Sequence, residues 1–442
     1  MTSRPAIAQS LRRSGIALVV LLLLAVYGWE AHGRREVDPT PLNRADQAAY
    51  LNYGRRMHET NYAFVGDRNR MPVFPFLLSL IYRRGLSDAQ FLARAQSFNI
   101  NLSIVLLGLL FLIWRKFFDA FYAVALLVIT AFGVFVYRAG TVQVEPVFYF
   151  LSFCAFLLLV RMLIAPRWWL ALLAGAATAL AYLTKASMLP TIAIWAVVSL
   201  GQILWEDRAG KDARLHDMAR RFGHFMLVIG AFGVVVFPYV RTSKQLYGHY
   251  FYNVNSAHYM WCESWREALA FTETYRQGKV APDQVPSAAK YWREHSVAQI
   301  IERLLHGLKT LLTRSAKATG YYKFVALFVL TIAVLIPRHL QLARRMMREK
   351  AFAAGFCFLF FFSYVILYAW YDAVVTDSRF ILSLLLPFIF AGSTLLLGLG
   401  KNRTFAIAGR RWPFAQLFAS LLICLTLIDV AYNALRIYQL IS

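Results

Sequence analysis

Acidic side chains are scarce in this chain, with 23 Asp and Glu against 47 Lys and Arg in 442 residues. The few beside long apolar runs therefore stand out as groups that could do acid–base work. Asp46 sits in Pro41-Leu42-Asn43-Arg44-Ala45-Asp46-Gln47-Ala48-Ala49-Tyr50, soon after the first apolar run. Locally this reads as a helix start, with Asn43 as the cap and Asp46 complementing the dipole of the first turn. Glu145 lies in a very short loop and precedes Pro146, which suits the first turn of the next helix. The local pattern thus places Glu145 just outside that helix. A carboxylate at the mouth of an apolar bundle is costly unless it is solvated or paired, so a structural and a chemical role are both open.

The cations near these acids have phosphate-binding chemistry. Lys185 ends an apolar run, where a lone Lys either snorkels to the interface or holds a phosphate. Arg379 follows Asp377 at the head of another run, either as a local ion pair or as a guanidinium fork aimed at a lipid phosphate. Arg68 and Arg70 head a segment that reads as a Pro-initiated interfacial helix, in which they would anchor to headgroups. The stretch from Tyr239 through Arg241 and Lys244 to His249 is basic and aromatic, a composition suited to sugar stacking and phosphate contact or to an aromatic belt. His249, His258, His295 and His306 show no metal-ligand spacing and read as polar surface. No P-loop or GxGxxG supports nucleotide binding.

The elements that must position these groups are membrane helices. The chain is 59% hydrophobic and only 16% charged, with a mean hydropathy of +0.51. Soluble domains carry roughly 45–50% apolar and about 25% charged residues, so a soluble enzyme, a disordered chain and a disulfide scaffold all fit poorly. A span needs about 20 mainly apolar residues. Such runs begin with 15–29, an uncleaved first span with no clean small-x-small site after it. They continue at 96–114, 119–137, 146–165, 168–184, 188–205, 223–240, 321–337, 351–371, 380–399 and 412–431. The pattern predicts an all-α polytopic membrane protein of about eleven spans.

The formal charge of +24 is explained by the positive-inside rule rather than by nucleic acid. With the N-terminus inside, Arg115, Lys116, Arg167, Arg208, Lys211, Arg214, Arg220, Arg221, Arg338, Arg344, Arg345, Arg348, Lys350, Lys401, Arg403, Arg410 and Arg411 are cytoplasmic. The short outer loops hold only Arg138, Lys185 and Arg379. Two long outer segments remain, each with helix-like stretches that would lie along the membrane surface. The chain thus divides into an N-terminal transmembrane module 1–240 that includes outer loop 30–95, an external region 241–320, and C-terminal transmembrane helices 321–442. Of the four cysteines, Cys154, Cys357 and Cys424 lie in apolar runs and Cys262 in a polar stretch, so no disulfide framework is evident.

This layout resembles the GT-C membrane glycosyltransferases, and more narrowly the branch related to protein mannosyltransferases and to the aminoarabinose transferases of lipid A. Ala45-Asp46-Gln47-Ala48-Ala49-Tyr50 is similar to that group's Asp-Glu-x-x-Tyr stretch. Arg70-Met71-Pro72-Val73-Phe74-Pro75 is similar to its Arg-x-Pro-x-x-Pro stretch, and Leu180-Ala181-Tyr182-Leu183-Thr184-Lys185 to its Gly-Leu-x-x-Leu-Thr-Lys element. Phe237-Pro238-Tyr239-Val240-Arg241 and Ser378-Arg379-Phe380-Ile381-Leu382 are fainter echoes of Pro-Trp-x-x-Arg-Asn and Arg-Tyr-x-x-Pro strings.

The resemblance implies a sugar donor carried on a polyprenyl phosphate, an acceptor hydroxyl on a glycan, lipid or protein, and inverting transfer on the outer face of a bacterial inner membrane. It implies Asp46 as the base, with Glu145 binding the acceptor or orienting Asp46. It also implies donor-phosphate contacts from Lys185, Arg241 and Arg379, and acceptor or sugar contacts from Tyr50, Arg70 and His249. Gln47 stands where a second acid often occurs, so a divalent metal is left open but not favoured, and no cofactor is assigned. The competing class is a transporter or flippase of a lipid-linked or anionic substrate, which would place charges mid-membrane and show repeated halves. No repeat is visible, and the polar residues gather at one face.

Overall fold

Each of the eleven apolar runs is helical in the computed structural model, as hydrocarbon requires of any backbone whose polar groups must be satisfied internally. The structure describes residues 4–37, 40–43, 46–66, 68–205, 211–276, 284–317, 322–375, 377–401, 403–407 and 409–441. Arg44, Ala45 and Arg208 lie outside them. In chain order the helices are α1 Arg4–Val37, α2 Gln47–Glu59, α3 Val73–Ile81, α4 Asp88–Trp114, α5 Ala120–Thr130 and α6 Val136–Ala139. Next come α7 Glu145–Ile164, α8 Trp168–Thr184, α9 Leu189–Trp205, α10 Lys211–Tyr247 and α11 Val254–Ala257. Then follow α12 Trp265–Arg276, α13 Ala288–Glu294, α14 Val297–Lys317, α15 Tyr322–Arg338, α16 Leu340–Glu349 and α17 Ala351–Tyr371. The chain closes with α18 Ser378–Leu382, α19 Leu385–Leu399, strands β1 Thr404–Ile407 and β2 Arg410–Pro413, and α20 Phe414–Ile441.

Among the described residues nine helices are long and apolar enough to cross a membrane, or ten if α15 and α16, bent by 105°, are one span. The remaining run, Trp168–Thr184, forms a shorter helix of 17 residues. The protein is therefore an integral, polytopic membrane protein. Among the described residues the one departure from an all-helical chain is the β1–β2 hairpin, antiparallel with Thr404 opposite Pro413. It turns at Gly409, whose φ of +76° suits glycine.

The spans are not equivalent. The span Ala120–Ala139 has 78% of its apolar window buried, whereas Ser14–Val37 and His216–Tyr247 have only 22%. The former is central and the latter two present most of their surface outward. Helix α8 packs between α7 and α10, α14 lies on α17, α20 on α5, and α2 on α3. Close approach depends on small residues. A Cβ on Gly175 of α8 would sit 2.3 Å from the Val228 carbonyl oxygen of α10, and one on Gly307 of α14 only 1.9 Å from that of Ala369 on α17.

Two sequence boundaries move. Helix α10 runs through 240 and 241 without a break and stops only at Gly248, φ +75°. Pro238 lies within this helix, and nothing between it and Gly248 stops the turn. Glu145 is the first residue of α7 rather than a position outside it.

Beyond α10, the helices α11–α14 are tied to the end of α17 by the buried Arg303. Its guanidinium donates to the carbonyls of Met260 (3.1 Å), Cys262 (3.0 Å) and Trp370 (3.3 Å) and pairs with Glu263 at 3.1 Å. All four cysteines are free.

Candidate functional site

Residues far apart in sequence meet at the ends of α2, α7, α8 and α18. Asp46 immediately precedes α2, with φ +65° and no side-chain capping bond. Asn43 is therefore not the cap, and the Asp46 carboxylate, at the positive end of α2, is held by ion pairs instead of a capping bond. The neighbouring Gln47 is fully buried and works as a staple. Its amide nitrogen donates to the carbonyls of Thr40 and Pro41, both at 3.0 Å, and its oxygen accepts from the Val142 N–H at 2.8 Å. The loop bearing Glu145 is thereby fastened to the loop bearing Asp46. Asn99 of α4 adds bonds from its side-chain amide to the carbonyls of Ala139 (3.2 Å) and Thr141 (2.7 Å). Lys185 lies in extended backbone between α8 and the short 3-10 turn Ala186–Met188. Arg379 is the second residue of α18, and its N–H is capped by the Asp377 carboxylate at 2.9 Å.

The side chains form one alternating network. Arg70 pairs with Asp46. Arg379 reaches Asp46 at 3.4 Å, Glu145 at 3.7 Å and Asp377 at 3.2 Å. Lys185 pairs with Glu145 at 3.5 Å, and Arg138 with Asp377 at 3.5 Å. Four cations thus surround three carboxylates, leaving the site one positive charge in excess. Glu145 is 1% exposed, and its Oε2 accepts no hydrogen bond among the described residues. The Lys185 ammonium lies 4.9 Å from the Phe380 ring and 5.3 Å from that of Phe148, which limits its access to water.

Electrostatics follow from this pairing. Burial alone would raise the Asp46 carboxyl, but Arg70 and Arg379 outweigh it and hold the group below the usual carboxylate range. Burial pushes the Tyr50 phenol up, with Glu145 and Asp46 adding to the effect, so it stays protonated. Its ring stands edge-on to Phe74 at 5.2 Å.

Of the residues singled out by sequence, Asp46, Glu145, Lys185, Arg379, Arg70 and Tyr50 come together. Arg241 and His249 do not join the network: both are exposed, and the His249 ring stacks on Tyr252 at 6.4 Å. The continuation of α10 carries Arg241 on a helical face instead of a loop. Sequence reasoning underweighted Arg138 and Asp377, which lock Arg379 from the far side. The signal was present in the Asp377-Ser378-Arg379 spacing and in the placement of Arg138 seven residues before Glu145. It also missed Gln47 and Asn99 as the fasteners. Arg68, expected at a membrane surface, is 2% exposed.

Among the described residues no three His, Cys, Asp or Glu side chains gather as a metal site. Guanidiniums separate the carboxylates of the network instead. What the fold and site define is a class: an integral membrane protein with a half-buried, net-positive charge cluster around the buried Glu145, where several helix ends converge. Compared with protein-family models, with curated proteins and with solved structures, the chain matches none.

Proposed function

We propose that this protein is an integral-membrane glycosyltransferase that moves a sugar from a polyprenyl-phosphate donor to an acceptor hydroxyl, with inversion, on the outer face of a bacterial inner membrane. The observation that carries this reading is the Arg70–Asp46–Arg379–Glu145–Lys185 network. It combines a carboxylate able to accept a proton with cations able to receive a phosphate.

In the reaction the acceptor oxygen attacks the anomeric carbon as the bond from that carbon to the phosphate oxygen breaks. The electron pair leaves with the lipid phosphate and the acceptor proton passes to Asp46. A phosphate leaving group needs no acid, so one carboxylate suffices, in contrast to a hydrolase whose leaving alcohol must be protonated. Arg379 and Lys185 stabilise the departing charge. Asp46 is a weak base while two arginines hold it. A donor phosphate that competes for Arg70 and Arg379 would loosen both pairs and raise its basicity. Base activation is thereby coupled to donor binding.

The test is transfer from radiolabelled polyprenyl-phosphate sugars to a membrane extract by purified protein, comparing wild type with Asp46→Asn. Label reaching a product only with wild type supports the assignment. Saturable donor binding with no transfer, unchanged by the substitution, would shift it to a transporter.

A further inference from the structure

A second cationic site lies beside the first and, among the described residues, has no counter-charge. Arg68 is 2% exposed, and among the described residues no carboxylate lies within 4.0 Å of its guanidinium. Among the described residues it is held by neutral groups: Nη2 donates to the Tyr239 carbonyl at 3.3 Å and to the Thr242 hydroxyl, and the guanidinium lies 3.9 Å from the Tyr239 ring centroid. Among the described residues its Nε has no hydrogen-bond partner.

Two more polar groups next to it share that condition. Tyr182 is 1% exposed and Ser243 fully buried. Both hydroxyls lie beside that of Tyr239, yet neither completes a well-aligned hydrogen bond. The Tyr239 hydroxyl is itself committed to the Tyr252 carbonyl at 2.7 Å. Buried donors are nearly always satisfied, and a buried charge is strongly unfavourable without a partner. Water could satisfy the hydroxyls but would leave the charge uncompensated.

The surroundings hold Arg68 in this unusual state. Its φ is +59°, and its backbone carbonyl is fastened by the Asn253 side chain at 2.7 Å and the Val254 N–H at 3.3 Å. Tyr247 also donates to the Gly66 carbonyl at 3.0 Å. Several contacts thus spend backbone strain on keeping an unpaired cation inward.

We propose that Arg68, Tyr182 and Ser243 form an anion subsite that takes a phosphate group. Donors arriving from three different elements suit a tetrahedral oxyanion with several acceptor oxygens. The site is separate from the Asp46–Glu145 network and does not rest on the transferase reading, since it is tested by binding alone.

The experiment uses full-length protein in phosphatidylcholine nanodiscs, in an Arg379→Gln background that weakens phosphate binding at the first network. Inorganic phosphate, polyprenyl monophosphate and phosphatidylglycerol are titrated separately by calorimetry. The double substitution Tyr182→Phe with Ser243→Ala removes two hydroxyls whose contacts with Tyr239 are poorly aligned, so melting temperature should hold or rise. Affinity for at least one probe should fall fivefold or more, and the probe affected identifies the source of the phosphate. Arg68→Lys, which keeps the charge but loses the fork, should weaken the same probe. Equal affinity of the double variant for all three probes would overturn the proposal, as would melting loss without a binding change.

Discussion

At the scale of single residues, Asp46 is held between Arg70 and Arg379, and the proposed transfer makes it the base. Asp46→Asn should lower transfer by about 100- to 10,000-fold, the range for loss of a general base. It should not unfold the protein, because Arg379 keeps Glu145 and Asp377 as partners. The check is the labelled-donor assay run beside a melting curve. The pairing also fixes a pH dependence. A carboxyl whose folded value lies below its ordinary one stabilises the fold fully above the ordinary value, about 3.9 for Asp. That contribution is lost as pH falls through the lower, folded value. Wild type minus Asp46→Asn melting temperature should therefore be constant from pH 5 to 8 and shrink only below about pH 4. A difference that shrank near pH 6 would show that Asp46 is not paired this way. Gln47 supplies a separate prediction. Gln47→Leu keeps the volume but strips the Val142 N–H of its acceptor, costing about 1–3 kcal/mol in a melting or denaturant experiment. Activity should fall with it, because the loops carrying Asp46 and Glu145 lose their common fastener.

At the scale of elements, function depends on where helix ends stop. Asp46 and Glu145 begin helices, Lys185 follows one, and Arg379 opens the short α18. Their mutual distances therefore depend on how closely the helices pack. The α14–α17 and α8–α10 crossings rest on glycines with no room for a methyl group. Gly307→Ala should destabilise by about 1–3 kcal/mol, as overpacking does, and shift the Trp370 end of α17 that Arg303 clasps. Gly233→Ala on α10, where a Cβ would meet nothing within 4 Å, is the matched control and should be neutral or slightly stabilising. Thermal unfolding in detergent distinguishes the two. A similar linkage joins the last helices, where Lys323 of α15 pairs with Asp429 of α20.

At the scale of the whole molecule, the charge asymmetry predicts a topology that can be mapped. The bent α15–α16 pair carries Arg344, Arg345 and Arg348, which the positive-inside rule makes cytoplasmic, while α12 belongs to the region read as external. A cysteine at Arg345 should react with an impermeant maleimide only after the membrane is opened. A cysteine at Arg266 should react in intact cells. The reverse pattern would invert the orientation and place the Asp46 network on the cytoplasmic side.

Much of this architecture was legible in the sequence. Every apolar run became a helix, because a run of that length in hydrocarbon has no other way to satisfy its backbone. The scarcity of acids singled out Asp46 and Glu145 for the same reason: an ionised group near lipid needs a partner, so few positions tolerate one. Hydropathy, length and charge are local properties, and a sequence carries them openly. Which cations meet which acids is not local. Arg379 reaches Asp46 across 333 positions, whereas Arg241, equally basic, is carried away on a helix that runs on to Tyr247. Arg68 and Arg70 stand two residues apart, yet among the described residues one is buried without a carboxylate partner and the other pairs with Asp46. The tertiary structure alone decided these outcomes, because an ion pair depends on separations of a few ångströms set by helix packing, register and loop fastening.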